Sequence, residues 1–311
     1  MLDEIPGLRV RRFAPLADYT RFGIGGPADV LVETGSESAM TEALRALRAA
    51  GAPYAVIGGG TNLIVADAGF RGTVLRYTSE QIAVEGGTLR ADAGAVLDTV
   101  VNFAISRGLA GIETLAGIPG SLGGAVHGNA GAYGHAIAER IRTVRFIDGG
   151  EVRTIGREGC GFTYRDSVFK RRGEWIVLAA EFDLTPANPD ELSRTAADIV
   201  ETRNRKFPPT MKCAGSIFKN LLLAELDPSV AAQVPESKVR EGKVAAAFFL
   251  EQAGAKGRSR GAIRVTDYHA NLIYNDGGGT AADLVALIAE LKERVRARFG
   301  LELEEEVQYL G

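Results

Sequence analysis

Cysteine, histidine and long apolar runs are scarce in this 311-residue sequence, and each scarcity excludes a class of protein. The cysteines, Cys160 and Cys213, are too few for a disulfide framework and are typical of a protein from a reducing compartment. No stretch approaches the roughly 18 apolar residues of a membrane-spanning helix, and the first residues lack the apolar core of an export signal. We therefore expect a cytoplasmic protein with no membrane insertion.

Several diagnostic motifs are also missing. The sequence has no P-loop, no HExxH or GxSxG motif and no paired CxxC, so the common P-loop, metalloprotease, serine-hydrolase and zinc-site classes are unsupported. The three histidines, His127, His135 and His269, are too scattered to indicate a metal site by spacing, and no metal is expected. The net charge of −3 gives no sign of a nucleic-acid partner.

The pattern of apolar residues predicts a mixed α and β chain. Capping residues, a proline at the first helical position and apolar residues at helical spacing predict four helices, which begin near Ser36, Val96, Asn188 and Thr280. Alternation predicts a strand whose apolar side comprises Ile176, Leu178, Ala180, Phe182 and Leu184. Because a long βαβα alternation is absent, the expected fold class is α+β, and the length allows two or three domains.

Glycine is abundant, with 39 residues, and is concentrated in two loops, 58–62 and 117–134. The first loop follows a predicted strand, but Leu63 stands where the Rossmann fingerprint requires its third glycine. Successive main-chain amides in such loops can form a nest for a diphosphate, and Ser121 and Asn129 add donors to the second loop. The alternative is that both loops are ordinary turns at strand ends.

Six motifs together resemble UDP-N-acetylenolpyruvoylglucosamine reductases, the flavoenzymes of peptidoglycan precursor synthesis. In chain order they are TRFGIGGPADV, GGGTNLIVADAGFRG, GIPGSLGGAVHGNAGAYG, YRDSVFK, AGSIFKN and LEEEVQYLG. The resemblance covers nearly the whole chain. It implies a two-part FAD-binding region of the vanillyl-alcohol-oxidase (PCMH) type and a smaller α+β substrate-binding domain. The expected boundaries are 1–77 for the first FAD-binding subdomain, to which 301–311 return, 78–209 for the second, and 210–300 for the substrate-binding domain.

The resemblance also implies the reaction and its cofactors. A monomer would bind FAD noncovalently, use NADPH as reductant and convert UDP-N-acetylglucosamine enolpyruvate to UDP-N-acetylmuramate. Noncovalent binding argues against a covalent flavin link at His127. The residues expected at the cofactor are Gly58, Gly59, Gly60, Thr61, Asn62, Gly117, Pro119, Gly120, Ser121, Gly123, Gly124, Asn129, Ala130 and Gly131.

Three residues match the catalytic positions of the family. Arg165 of YRDSVFK would face the substrate carboxylate, Ser216 of AGSIFKN would donate a proton to the α-carbon, and Glu306 would share protons with the intermediate. Without the resemblance, a surface arginine and a solvated run of three glutamates would be the preferred interpretations, and the alternative for Ser216 is a turn hydroxyl bonded to its own backbone. Glu304 and Glu305 leave the register of that run open.

Five further residues are expected at the substrate: Tyr164, Lys206, Lys219, Asn220 and His269. His269 also fits an ordinary histidine at a strand end. The sequence departs from the family at Leu221, where a proline is usual, and residues 221–247 lack the tyrosine that closes over the substrate in one subgroup. Two rival functions stay open: another FAD-dependent oxidase or dehydrogenase of the same fold, and a noncatalytic nucleotide-binding protein.

Overall fold

The computed structural model describes residues 1–311. It has eight α-helices, namely α1 Glu37–Ala49, α2 Leu97–Ser106, α3 Leu122–His127, α4 Val168–Arg171, α5 Pro189–Lys206, α6 Pro228–Ala231, α7 Ala246–Gln252 and α8 Ala281–Phe299. Its 21 strands are β1 Arg9–Pro15, β2 Pro27–Thr34, β3 Tyr54–Val56, β4 Leu63–Val65, β5 Phe70–Tyr77, β6 Ile82–Glu85, β7 Thr88–Asp92, β8 Leu109–Ala110, β9 Gly131–Ala132, β10 His135–Ala136, β11 Ile141–Asp148, β12 Glu151–Gly156, β13 Ile176–Asp183, β14 Thr185–Pro186, β15 Leu221–Leu222, β16 Val239–Arg240, β17 Lys243–Val244, β18 Ser259–Arg260, β19 Ile263–Val265, β20 Ile273–Asn275 and β21 Gln308–Leu310. The α+β content and all four predicted helices are confirmed.

The chain divides into two compact units, each made of several segments. The first unit comprises Met1–Ala14, Ala28–Gly60 and Phe70–Arg205. The second unit comprises Pro15–Pro27, Thr61–Gly69 and Lys206–Gly311. The finer division into three domains stays a prediction.

The first unit contains a four-stranded sheet in the order β1-β2-β5-β3, in which β5 runs parallel to β2 and to β3. Helix α1 packs against this sheet. The Ser36 hydroxyl caps the helix by accepting the Ala39 N–H at 3.2 Å. Met40, Leu44 and Leu47 then form the buried face that the sequence predicted. A local cap and a period of 3.6 therefore account for this element.

A second sheet of the first unit has the order β12-β11-β13-β7-β6, and all its pairs are antiparallel. The predicted strand is confirmed as β13, but the prediction that its apolar residues all lie on one side is wrong. Ile176 and Leu178 lie in the core with α1, whereas Ala180 and Phe182 lie in the core with α2 and α3. The pairing of β11 with β13 shifts register at Leu178, and this bulge reverses the facing of the residues that follow.

The second unit is organised around helix α8. The Thr280 hydroxyl accepts the Asp283 N–H at 3.0 Å, and Gly300 ends the helix with a φ of 67°. The carboxylate of Asp67 also accepts the N–H groups of Ala281 (2.8 Å) and Ala282 (2.9 Å). Strand β4 pairs in parallel with β21, so the segment after the first glycine loop lies beside the C-terminal strand.

None of the helices combines the length and the apolar character that crossing a membrane requires.

Candidate active site

Within the first unit, residues 58–60 of the first glycine loop approach the second glycine loop closely. A Cβ atom on Gly58 would lie 2.5 Å from Ser121 Oγ, and a Cβ atom on Gly59 would lie 3.0 Å from Gly120 Cα. Such distances are shorter than van der Waals contact, so side chains at these positions would force the loops apart. The structure thus brings together the two loops that the sequence predicted for the cofactor.

The loops differ in how their main-chain N–H groups are used. The N–H groups of residues 58–60 donate to no acceptor within the chain. In the second loop many N–H groups have acceptors within the unit, among them those of three glycines: Gly117 donates to Asp98 Oδ1 (2.8 Å), Gly123 to Ala93 O (2.8 Å) and Gly124 to Ser121 Oγ (3.3 Å). The first loop therefore has the successive unsatisfied donors of an anion nest, whereas these three N–H groups of the second loop serve its own folding.

Asn129 was expected to offer a donor to an anion, but its amide is engaged at both ends. Its Nδ2 donates to Thr163 O at 2.7 Å, and its Oδ1 accepts the Ala138 N–H at 3.3 Å. The side chain is also buried. Its physical task is thus to fasten the turn 163–167 to the second glycine loop.

The same turn carries Tyr164 and Arg165 and has two further attachments to the second loop. Arg165 Nη2 donates to Gly131 O at 2.9 Å, and Ser167 Oγ donates to His127 O at 2.7 Å. Ser167 is fully buried and caps α4. The structure therefore places the predicted catalytic arginine against the predicted cofactor loop.

Arg165 has a φ of 55°, which is unusual for a residue with a side chain. A left-handed conformation at such a residue costs on the order of 1 kcal/mol and persists where the surroundings hold it. Here Lys170 Nζ donates to Arg165 O at 3.2 Å, and the guanidinium carbon lies 5.5 Å from the centre of the Tyr164 ring. From this strained backbone the guanidinium reaches Gly131 O of the second glycine loop.

In the second unit, the segment that carries Ser216 pairs with the C-terminal segment. Gly215, with a φ of 78°, directly precedes Ser216, and the buried residues Ile217 and Phe218 follow it. Glu306 N donates to Ile217 O at 2.7 Å, and Lys219 N donates to Glu304 O at 2.9 Å. In this pairing Ile217 lies opposite Glu306, so Ser216 is the neighbour of the residue that faces Glu306.

The three consecutive glutamates have different surroundings. Glu304 forms an ion pair with Lys219. Glu305 forms one with Lys292 at 2.8 Å and also accepts a hydrogen bond from the Tyr309 hydroxyl. Burial and this bond to a carboxylate raise the pKa of Tyr309. Glu306 bonds to the Ser216 segment through its main-chain N–H, which donates to Ile217 O, whereas Glu304 bonds to it through its carbonyl.

Asn62, expected at the cofactor, uses its side chain within the second unit. Its Nδ2 donates to Glu306 O at 2.9 Å, and its main-chain carbonyl accepts the Gln308 N–H at 2.9 Å. Thr61 lies beside it at the start of the same segment. Asn62, the last residue of the first glycine loop, therefore anchors the C-terminal segment.

The structure also brings Lys206 and His269 together in the second unit. The Tyr268 hydroxyl donates to Lys206 O at 3.0 Å, and the Phe207 ring centre lies 6.2 Å from that of His269. Burial, with the charge of Lys206 as a second cause, lowers the pKa of His269 to about 4. The imidazole is neutral at pH 7, and its buried Nδ1 has no hydrogen-bond partner within the chain.

The departure at Leu221 falls at the start of a small sheet. Leu221 and Leu222 form β15, which pairs antiparallel with β17, and β17 pairs with β16. Asn220 is the exposed residue directly before this strand. The position where the family usually has proline is therefore the first residue of a short strand.

A separate cavity of about 320 Å³ lies on the five-stranded sheet of the first unit. An ion pair between Arg145 and Glu37 (2.6 Å) forms part of its wall. None of the predicted site residues lines it, so it has no part in the arrangement described above.

Sequence reasoning missed two residues that hold the candidate catalytic groups. Asn271 is only 2% exposed and bonds to both main-chain groups of Phe218. Ser167 anchors the turn of Arg165. The available signal for Asn271 was an amide next to the apolar residues of the stretch HANLIYN, because a buried amide needs hydrogen-bond partners.

Comparison with known proteins first gives the class of protein to which the chain belongs. The model of an FAD binding domain matches residues 28–156, and these residues include the first glycine loop and most of the sheet strands of the first unit. The chain is therefore an FAD-binding oxidoreductase. The model for the C-terminal domain of UDP-N-acetylenolpyruvoylglucosamine reductase matches residues 207–310.

Full-length relatives then give the family. The chain is 60% identical to the UDP-N-acetylenolpyruvoylglucosamine reductase of Solibacter usitatus, over 100% of this chain and 99% of that protein. It is 38% identical to that of Rubrobacter xylanophilus, over 96% and 94%. The crystal structure of the Thermus caldophilus reductase is similar with a TM-score of 0.77 and 31% identity, covering 98% of this chain and 100% of that one. The chain belongs to the UDP-N-acetylenolpyruvoylglucosamine reductase family.

Proposed function

We propose that this protein reduces UDP-N-acetylglucosamine enolpyruvate to UDP-N-acetylmuramate, with FAD as cofactor and NADPH as reductant. Family membership over the full length supports the reaction and the cofactors. The roles of individual residues rest on the contacts within each unit.

The first glycine loop fits the diphosphate of FAD. Residues 58–60 offer three successive N–H groups that have no acceptor within the chain, and a diphosphate supplies anionic acceptors. Gly60, with a φ of 61°, adopts a backbone conformation that favours glycine. Residues 58–60 would hold the diphosphate of FAD, and the bound flavin would supply hydride transfer from NADPH to the β-carbon of the enolpyruvyl group.

Arg165 would stabilise the charge that develops on the substrate. Hydride addition at the β-carbon leaves negative charge on the α-carbon, which is delocalised into the adjoining carboxylate. A guanidinium keeps its own proton and matches a carboxylate with two parallel N–H groups. The bond from Arg165 to Gly131 O supports this role, since it fixes the guanidinium against the cofactor loop.

Ser216 would donate the proton to the α-carbon, with Glu306 sharing protons beside it. The observation that carries this assignment is the 2.7 Å hydrogen bond from Glu306 N to Ile217 O, because it holds the two candidate groups in a fixed register. The carboxylates of Glu304 and Glu305 are held by lysines. Lys219, in the Ser216 segment, is the proposed cation that stabilises the alkoxide left by the serine.

Lys206, His269, Tyr164 and Asn220 are proposed to contact the sugar nucleotide. His269 is suited to this because a neutral ring with a buried, unpartnered Nδ1 can form a hydrogen bond with a ligand hydroxyl or amide. The protein is proposed to act as a monomer in the cytoplasm.

Anaerobic half-reactions test the assignment of Ser216. In Ser216→Ala, NADPH should reduce FAD at the parental rate, whereas reoxidation by the enolpyruvyl sugar nucleotide should slow by about 10²- to 10⁴-fold, since general acid catalysis contributes that much. Ser237→Ala, which removes an exposed hydroxyl of the same unit, is the control. Equal loss in both half-reactions would contradict the proton-donor role.

The rival functions predict different behaviour of the parental protein. An oxidase would be reoxidised by oxygen as fast without the sugar nucleotide as with it. A noncatalytic nucleotide-binding protein would not be reduced by NADPH after addition of FAD. Either result would overturn the proposed reaction.

A further inference from the structure

Asn271 bonds to the segment that carries Ser216 through both its side chain and its main chain, next to the antiparallel bridge between Ser216 and Leu272. Its Oδ1 accepts the Phe218 N–H at 2.9 Å, and its Nδ2 donates to Phe218 O at 2.8 Å. Its main-chain carbonyl accepts the Ile217 N–H at 3.1 Å. One residue thus satisfies three main-chain groups of the two residues after Ser216.

The other side of the Ser216 segment is bonded to the C-terminal segment. Ile217 O accepts the Glu306 N–H at 2.7 Å, and Glu306 O accepts from Asn62 Nδ2 at 2.9 Å. A continuous row of hydrogen bonds therefore runs from Asn62 through Glu306 and Ile217 to Asn271. All four residues belong to the second unit.

The buried state of this row makes the amide of Asn271 hard to replace. Ile217 is 0%, Phe218 1% and Asn271 2% exposed, so water cannot take over a lost hydrogen bond. A buried main-chain group without a partner is costly, and the segment would shift to find one. Any shift at Ile217 displaces Ser216 relative to Glu306.

We propose that Asn271 is a positioning residue for proton transfer, which sets the register of Ser216 against Glu306. This inference rests on the proposed function, because it assumes that Ser216 and Glu306 handle the proton. Asn271 acts through the main chain of residues 217–218 and needs no contact with the substrate.

Asn271→Asp is the sharpest perturbation, because it keeps the shape of the side chain and changes one donor into an acceptor. The ionised carboxylate would still accept the Phe218 N–H, but its second oxygen would face Phe218 O. Protonation at low pH restores a donor at that oxygen. The defect should therefore diminish as the pH falls, relative to the parental protein.

Asn275→Asp is a matched control in the same unit. Asn275 is also buried, and its Nδ2 donates to Phe22 O at 2.9 Å while its Oδ1 accepts the N–H groups of Gly277 and Gly279, both at 3.0 Å. Asn275→Asp likewise places a carboxylate oxygen against a main-chain carbonyl oxygen, here that of Phe22. It does so outside the row that links Asn271 to Glu306.

Anaerobic flavin spectroscopy and amide exchange measure the outcome. In Asn271→Asp at pH 7.5, reduction of FAD by NADPH should stay within about twofold of the parental rate, whereas reoxidation by the sugar nucleotide should slow by about 100-fold, since a misplacement near 1 Å costs that much. The solvent deuterium isotope effect on reoxidation should rise. In the FAD-free protein, exchange at the amides of Phe218 and Glu306 should accelerate.

Several results would overturn the positioning role while leaving the proposed function intact. These are an unchanged reoxidation rate in Asn271→Asp, equal slowing of both half-reactions, or the same selective slowing in Asn275→Asp. Failure of the parental reduced protein to react with the sugar nucleotide would instead refute the proposed function. If Asn271→Asp does not fold, Asn271→Ser, which keeps the main-chain bond to Ile217, is measured by the same criteria.

Discussion

Replacing Gly58 by alanine would place a methyl group against the hydroxyl that caps helix α3. The new Cβ atom would lie 2.5 Å from Ser121 Oγ, about 1 Å closer than an ordinary van der Waals contact. The hydroxyl can turn away only by giving up the hydrogen bond that it accepts from Gly124 N. Because loss of an N-cap costs about 1 kcal/mol and residual crowding adds to it, Gly58→Ala should destabilise the FAD-free protein by about 1–2 kcal/mol.

Ser121→Ala removes the clashing oxygen and loses the same cap, so it should cost about 1 kcal/mol by itself. The double variant Gly58→Ala/Ser121→Ala lacks the same single cap as Ser121→Ala and should therefore be no less stable than that variant. Urea unfolding of the FAD-free proteins measures this coupling of about 1 kcal/mol. The added methyl group faces Ser121 and leaves the Gly58 N–H in place, so FAD affinity should not fall further when Gly58→Ala is added to Ser121→Ala.

Gly173→Ala serves as the control, since its Cβ atom would meet no atom within 4 Å. If the losses of stability in Gly58→Ala and Ser121→Ala were additive in the double variant, the argument that loop packing requires glycine at position 58 would be refuted. A further loss of FAD affinity in the double variant would show that the cofactor itself demands the glycine.

Two further substitutions should change stability. Asp67→Ala removes the carboxylate that accepts the N–H groups of Ala281 and Ala282, and should destabilise the protein by about 1 kcal/mol in urea unfolding, with a smaller loss for Asp67→Asn. Burial, followed by the charge of Lys170, lowers the pKa of His127 to about 4. The unfolded chain therefore binds this proton near pH 6.5 and the folded chain only near pH 4, so stability is lost as the pH falls through that window, by about 3 kcal/mol at most. Between pH 7 and pH 4.5 His127→Gln should lose less stability than the parental protein, and an equal loss would contradict the assignment.

The elements that sequence reasoning predicted are those whose causes are local. Ser36 and Thr280 cap their helices through main-chain groups three residues away, and Gly300 ends a helix by its own conformation. Such signals lie within a few residues of the feature that they produce. The strand around Leu178 shows the limit, because the bulge there arises from pairing with β11 and its two faces meet different cores.

The site follows the same division between local and distant causes. Glycine density indicated both loops, and the motif around Arg165 indicated a functional turn. The amide donors of Asn62 and Asn129, however, go to Glu306 O and Thr163 O, which lie far away along the chain. Sequence alone cannot distinguish an amide that binds a ligand from one that fastens two segments, because both require a polar residue in a glycine-rich loop.

The run of three glutamates shows how a distant pairing separates residues that look equivalent in sequence. A slip of one residue in a strand pairing turns every side chain to the other face. Here such a slip would pull Glu304 from Lys219 and Glu305 from Lys292, and both ion pairs therefore act against it. The lysines thus help to determine which glutamate stands at the bond to Ile217. In the proposed assignment Glu306 is the member of the run that serves catalysis, and the other two members help to fix the register in which it is presented.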